Sequence, residues 1–114
     1  MGDTGTPGLD REQLRDVTLN DEELMREILG ALVDDTSRQM KLLQAAIQEQ
    51  NATRCMHLAH YSKGACANLG ANAAAAILKE IEQRAASRDF IECGAALGRL
   101  AREVDSLRVA VASV

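Results

Sequence analysis

The C-terminal part of the chain carries the pattern that most restricts its fold. From residue 90 onward, apolar side chains recur at alternating steps of three and four residues, which aligns them along one face of an α-helix. They are Phe90, Cys93, Leu97, Leu100, Val104, Leu107 and Val111. Glu92 follows Asp89 by three residues, the spacing of an N-terminal capping box. The pattern predicts a long helix whose apolar face must be covered by other elements.

The same periodicity predicts three further long helices upstream. They are expected over about 21–49, over about 51–69 and over about 72–87. Their buried stripes are predicted to be Met25, Leu29, Leu32, Thr36, Met40, Leu43 and Ile47 in the first, Cys55, Leu58, Ala59, Ser62, Cys66 and Leu69 in the second, and Ala74, Ile77 or Leu78, Ile81 and Ala85 in the third.

Polar residues at the predicted helix starts mark candidate caps. Asn20 with Glu23 has the capping-box spacing, and Asn51 and Asn72 are single candidates for the next two helices. Gly70 is the natural left-handed residue to end the helix before it. The helices are therefore expected to be separated by short loops.

The N-terminal residues differ from the rest of the chain. Residues 1–8 combine three Gly, the only Pro and two Thr, a composition that predicts a flexible lead-in. The segment 10–17 is predicted to form two helical turns, with Leu14 and Val17 facing the body. Residues 9–114 are expected to form a single domain.

Composition supports an all-α fold. The chain has 114 residues with 46% hydrophobic content, but only one Phe, one Tyr and no Trp, which suits closely packed helices better than a sheet. Four long helices joined by short loops run antiparallel to their neighbours. We expect an antiparallel up-down-up-down four-helix bundle with a short additional N-terminal helix.

Charge and hydropathy exclude several functional classes. A formal net charge of −4 and a pI near 5.1 argue against nucleic acid or an anionic membrane as the main partner, since both require a basic surface. No apolar run approaches the length of a membrane span, and the N-terminus lacks the features of a signal peptide. The sequence predicts a cytoplasmic protein. Cys55, Cys66 and Cys93 form no CxxC pair and are interpreted as small core residues.

The exposed face of the predicted helix over about 51–69 carries the candidate chemistry. At roughly 100° per residue, His60 lies about 140° from the centre of that helix's apolar stripe, so its imidazole is predicted to face solvent. Lys63, one turn away, can neutralise an anionic group carried on His60. Gly64 costs about 1 kcal/mol of helix propensity relative to Ala, which indicates that space is needed there. A nucleophilic imidazole, a cation and a clearing suit phosphoryl transfer.

The segment 59–71 reads AHYSKGACANLGA and resembles the signature of histidine-containing phosphotransfer (HPt) domains, A-H-x-L-K-G-x-x-x-x-L-G-A. Leu14, the acidic start of the predicted helix over about 21–49, and Glu82 also resemble that family. The resemblance implies that His60 accepts a phosphoryl group from the aspartyl phosphate of one receiver domain and passes it to another. It implies that Lys63 orients or neutralises the phosphoryl group and that Gly64 lets the receiver approach.

The resemblance also sets expectations for partners and cofactors. The partners would be receiver domains of response regulators and of a hybrid sensor histidine kinase. The chain would be a phosphocarrier without kinase activity, binding no cofactor or metal, and Mg²⁺ would come from the receiver. A monomer is expected because the relay face must stay accessible. Helix geometry predicts a contact surface comprising Met56, His57, Tyr61, Ala67 and Asn68.

One position departs from the family pattern. Ser62 stands where the family usually has Leu, and its hydroxyl is predicted to bond the carbonyl of Leu58 one turn back.

Two alternatives stay open at this point. His57 and His60, one turn apart, could chelate a metal ion, but a closed site needs about four ligands and the same helix face offers no Cys, Asp or Glu. A non-catalytic helical adaptor is the other alternative, and it predicts that His60 can be replaced without loss of activity. His57 itself is interpreted as a bystander or a contact at the rim.

Overall fold

The structure is a computed structural model that describes residues 8–114. Its regular elements in that range are five helices: α1 (Arg11–Val17), α2 (Glu22–Gln48), α3 (Ala52–Asn68), α4 (Asn72–Ala86) and α5 (Phe90–Val111). The predicted all-helical fold is confirmed, including the short first helix. The predicted flexible lead-in lies, except for Gly8, outside the described residues.

The four long helices enclose one core. α2 packs against α3 and α5, and α4 also packs against α3 and α5, so each long helix contacts two others. The core between them is built mainly from fully buried aliphatic side chains, with three buried cysteines among them: Leu29, Leu43, Cys55, Cys66, Leu78, Ile81, Cys93, Leu100, Val104 and Leu107. Leu78 rather than Ile77 is the buried member of the α4 stripe. The antiparallel up-down-up-down course stays a prediction.

Side-chain caps start three of the long helices. Asn51 accepts from the backbone N–H of Arg54 at 3.1 Å, and Asp89 accepts from that of Glu92 at 3.2 Å, as predicted. The prediction for α2 was wrong by one residue, because Asp21 is the cap. Asn20 instead has a left-handed backbone, with φ 63°, and belongs to the preceding turn. A capping side chain satisfies an N–H that the helix itself leaves unpaired.

The start of α4 is capped by the chain's own N-terminal segment. Ala71 occupies the cap position and makes no side-chain bond there, so the prediction of Asn72 as a cap was wrong. The Gly8 carbonyl accepts from the backbone N–H groups of Asn72 and Ala73, at 2.8 and 3.1 Å. A backbone carbonyl from residue 8 thus replaces the capping side chain.

Gly70 fixes the turn between α3 and α4. Its φ is +82°, and a Cβ at this position would lie 2.5 Å from the carbonyl oxygen of Asp10. The Asp10 N–H donates to the Gly70 carbonyl at 2.7 Å. Both the backbone conformation and the close approach require glycine here, as the sequence predicted for the end of α3.

The end of α1 differs from the prediction. Leu14 is fully buried, but Val17 is 49% exposed, so the prediction that Val17 faces the body was wrong. The buried position is Thr18, whose hydroxyl donates to the Leu14 carbonyl at 2.7 Å. A hydroxyl can enter the core here because the last turn of α1 supplies an acceptor.

Ser62 lies in the core without the bond predicted for it. Its side chain is buried, and its Oγ has no hydrogen-bond partner among residues 8–114. The predicted bond to the Leu58 carbonyl was therefore wrong. An unpaired buried hydroxyl costs about 1–3 kcal/mol, so this position destabilises the α3 interface.

We expect Ser62→Ala to raise the free energy of unfolding by about 1 kcal/mol, because it removes a buried unpaired hydroxyl and leaves only a small void. Thr18→Val is the matched control, since it removes a buried hydroxyl that is paired, and it should lower the free energy of unfolding by about 1 kcal/mol. Urea denaturation followed by circular dichroism measures both. Equal destabilisation by the two substitutions would contradict the assignment of Ser62 as unpaired.

Candidate functional site

His60 stands exposed at the interface of α3 and α4. Its side chain is 69% exposed, as the helical wheel predicted, because the opposite face of α3 is buried in the core. Its Nδ1 lies 3.0 Å from Oε2 of Glu82 on α4. The imidazole is therefore held on one side by a neighbouring helix and is open to solvent on the other.

Glu82 joins two residues of α3. While Oε2 contacts the imidazole of His60, Oε1 accepts from Lys63 Nζ at 2.8 Å. Lys63 and Glu82 are 29% and 23% exposed, so this ion pair is partly shielded from solvent. The sequence predicted that Lys63 lies beside His60, but the structure shows that a carboxylate already pairs with the ammonium group.

The same contacts keep Glu82 ionised. The hydrogen bond from Lys63 lowers the pKa of the Glu82 carboxyl, and the bond with His60 lowers it further, although desolvation opposes both. An ionised carboxylate only accepts hydrogen bonds. We therefore assign the proton of the neutral His60 ring to Nδ1, which leaves the lone pair on Nε2.

Gly64 leaves open space one turn beyond His60. A Cβ built at this glycine would meet no atom within 4 Å. Internal packing therefore gives no reason for glycine at a helical position where Ala would be about 1 kcal/mol more favourable. The clearing predicted from the sequence is present on the surface of α3.

On its α2 side, the neighbourhood of His60 is shaped by Tyr61. The Tyr61 hydroxyl donates to Oδ2 of Asp35 at 3.1 Å, and the tyrosine remains 55% exposed. Together with His57 and Leu58, its ring lines a shallow cleft of about 420 Å³. The sequence gave no signal for Asp35, because nothing in helical periodicity relates positions 26 residues apart.

The rest of the predicted contact surface is distributed around His60. His57, Ala67 and Asn68 are exposed, whereas Met56 is half-buried against the core. Gln13 on α1 donates through Nε2 to the carbonyls of Ala67 and Asn68, at 2.7 and 3.2 Å. The first helix therefore lies beside the C-terminal end of the predicted surface.

Other reactive groups lie away from this surface. Cys55, Cys66 and Cys93 are fully buried, and desolvation raises the pKa of each thiol, that of Cys93 to about 11. Burial in the core fits their interpretation as packing residues. Within residues 8–114, no three His, Cys, Asp or Glu side chains cluster as a metal site would require.

A larger concavity, about 620 Å³, lies between α2 and α5 and is lined partly by Met40, Ile47 and Leu97. α5 does not pack against α3, so this groove is separate from His60. It is mostly apolar and includes no histidine or cysteine. Size alone is therefore a poor guide here, and the chemistry points to the His60 surface.

Comparison with known proteins gives a family match. Residues 27–110 match the family model of the Hpt domain. The chain belongs to the Hpt domain family. Hpt domains perform histidine phosphotransfer in two-component phosphorelays, and none of the helices described here is long and apolar enough to span a membrane.

A solved Hpt structure has the same fold. The crystal structure of histidine-containing phosphotransfer protein B (HptB) from Pseudomonas aeruginosa PAO1 superposes with a TM-score of 0.86 at 28% sequence identity. The match covers 96% of this chain and 95% of that one. No curated protein sequence matches the chain.

The lowered pKa of Glu82 predicts a pH-dependent contribution to stability. Because the folded-state pKa lies below the ordinary value of 4.5, the stabilisation is present above that pH and is lost as the pH falls through the folded-state pKa. Glu82→Gln should lower the free energy of unfolding at pH 7 by at most about 1 kcal/mol. The difference from the parent should narrow below pH 4.5.

Urea denaturation between pH 3 and pH 7 measures this difference. The control is Glu82→Gln in a Lys63→Met background, where the main cause of the lowered pKa is gone and the pH dependence of the difference should shrink. A difference between parent and Glu82→Gln that widens below pH 4.5 would contradict the assignment.

Proposed function

We propose that His60 is the phosphoacceptor of this Hpt domain. It would take a phosphoryl group from the aspartyl phosphate of one receiver domain and pass it to the aspartate of another. The observation that carries the proposal is the His60–Glu82 contact of 3.0 Å. It holds Nδ1 and leaves Nε2 of an exposed imidazole as the free nucleophilic atom.

The transfer needs only a few groups from this chain. Nε2 attacks phosphorus in line, the N–P bond forms, and the bond from phosphorus to the receiver's aspartate oxygen breaks, releasing the carboxylate. Glu82 stabilises the positive charge that the ring gains when Nε2 is phosphorylated and Nδ1 keeps its proton. Transfer onward is the same step in reverse with a second receiver aspartate.

Lys63 is proposed to neutralise charge beside the phosphoryl group. Its ammonium group has three donors, and one of them reaches Glu82 at 2.8 Å. The remaining donors are proposed to bond phosphoryl oxygens, because Lys63 and His60 contact the same Glu82 carboxylate. We propose that Mg²⁺ comes with the receiver domain, because Glu82, the carboxylate at His60, already pairs with Lys63.

The packing of the long helices supports the antiparallel course expected from the sequence. Each long helix packs against two others and the connections 49–51, 69–71 and 87–89 are short, which supports an antiparallel four-helix bundle. We propose a monomeric phosphocarrier without kinase activity that serves receiver domains of a hybrid sensor kinase and of response regulators. The cytoplasmic location stays a prediction.

The first test is label transfer to His60. After mixing with a ³²P-labelled receiver domain and Mg²⁺, the parent protein should carry an acid-labile, base-stable phosphoryl group, and His60→Gln should carry none. His57→Gln is the matched control and should still accept label, since it removes the neighbouring imidazole and leaves His60 in place. If His60→Gln accepts label normally, the proposal fails and the adaptor alternative, which needs no histidine, is favoured.

The second test concerns the clearing at Gly64. Gly64→Gln should slow transfer ~10-fold or more, corresponding to ~1.4 kcal/mol, because a side chain would obstruct the receiver. Gly98→Gln on α5 is the control, since a Cβ there also meets no atom within 4 Å and α5 does not pack against α3. Both variants should keep the helical circular dichroism signal. Equal transfer rates for the two would remove the clearance argument.

A further inference from the structure

We propose that Asp35 is a positioning residue that fixes Tyr61 as the aromatic anchor against which a receiver domain docks, on the α2 side of His60. The inference rests on the proposed function and deepens it. It assigns a role in partner recognition to a residue on a different helix from the phosphoacceptor.

A single hydrogen bond between α3 and α2, called the tether below, holds the Tyr61 side chain. Tyr61 directly follows His60, and its hydroxyl donates to Asp35 Oδ2 at 3.1 Å. The other carboxylate oxygen, Oδ1, lies 3.4 Å from Arg38 one turn along α2. Asp35 is 28% exposed while Tyr61 is 55% exposed. The anchored end of the tyrosine thus lies near α2, and the ring remains available to a partner.

The surroundings of His60 differ between its two sides. Toward α4, Lys63 and Glu82 fill the space beside the imidazole with an ion pair. Toward α2, at roughly 100° per residue, Gly64 lies about 40° and Tyr61 about 100° around α3 from His60. The clearing and the aromatic ring are therefore on the same side, which makes this the open direction of approach.

The α2 side offers one exposed apolar surface, the Tyr61 ring, in a cleft whose other walls are mostly polar. The Tyr61 ring and Leu58 line the cleft of about 420 Å³ between α2 and α3, with Arg54 and His57 also on its wall. Aromatic side chains at interfaces often carry a large share of binding free energy. A ring already held in place loses less conformational entropy when a partner binds. The complementary group on the receiver is an apolar side chain that covers this ring.

The protonation of the pair is compatible with this role. The hydrogen bond and the negative charge of Asp35 raise the pKa of the Tyr61 hydroxyl. The hydroxyl therefore keeps its proton and continues to donate at physiological pH.

Steady-state transfer from a ³²P-labelled receiver domain, through this chain, to an excess of a second, unlabelled receiver domain tests the proposal by separating KM from kcat. Tyr61→Ala, which removes the ring, should raise KM for the phosphorylated receiver ~10-fold with kcat within twofold of the parent. Asp35→Ala and Tyr61→Phe, which each remove the tether but keep the ring, should raise KM ~3-fold. The double variant with Asp35→Ala and Tyr61→Phe should raise KM no further than either single variant, since both substitutions remove the same hydrogen bond.

Two conservative variants serve as controls. Asp35→Asn keeps an oxygen that can accept from the hydroxyl and should restore the parent KM. Arg38→Met removes the other partner of Asp35 and should leave KM unchanged. All variants should retain the parent's helical circular dichroism signal, so that a change in KM reports docking.

The outcomes separate this inference from the proposed function. A parent-like KM for Asp35→Ala would show that Asp35 does not position the ring, and a parent-like KM for Tyr61→Ala would place docking elsewhere. Either result would overturn the inference while label on His60 still upheld the function. Label on His60→Gln would instead overturn the proposed function itself.

Discussion

The candidate site depends on the contacts that the Glu82 carboxylate makes. It reaches from α4 to both His60 and Lys63 on α3, so the orientation of the imidazole is set by the packing of two helices. The ion pair with Lys63 keeps the carboxylate charged, and the charged carboxylate in turn selects the ring nitrogen that carries the proton. Losing the alignment of α3 and α4 would remove both effects together.

That alignment is held at the turn between the two helices. Gly70 adopts a left-handed backbone in contact with Asp10, and the Gly8 carbonyl caps the start of α4. Gln13 adds bonds to the last carbonyls of α3. The short N-terminal segment and α1 therefore brace the end of the helix pair that carries the site, although they lie outside the region matched by the family model.

Helix caps show what the local sequence can and cannot predict. Asn51 and Asp89 were predicted correctly, because each is a strong capping residue directly before a helical pattern. At α2, Asn20 was predicted as the cap, but its left-handed conformation left that role to the next residue, Asp21. At α4, the cap came from residue 8, which local spacing cannot reveal. The Ser62 hydroxyl likewise has no hydrogen-bond partner, which depends on the packing around it.

The sequence by itself determined the helical fold, the exposure of His60 and the clearing at Gly64. These follow from periodicity, since 3.6 residues per turn decide which side chains share a face of one helix. The tertiary structure decided which residues of other helices reach that face. The sequence pointed to Glu82 only through the resemblance to the Hpt family, and it did not point to Asp35. Contacts between helices depend on their packing and relative register, which no pattern within a single helix encodes.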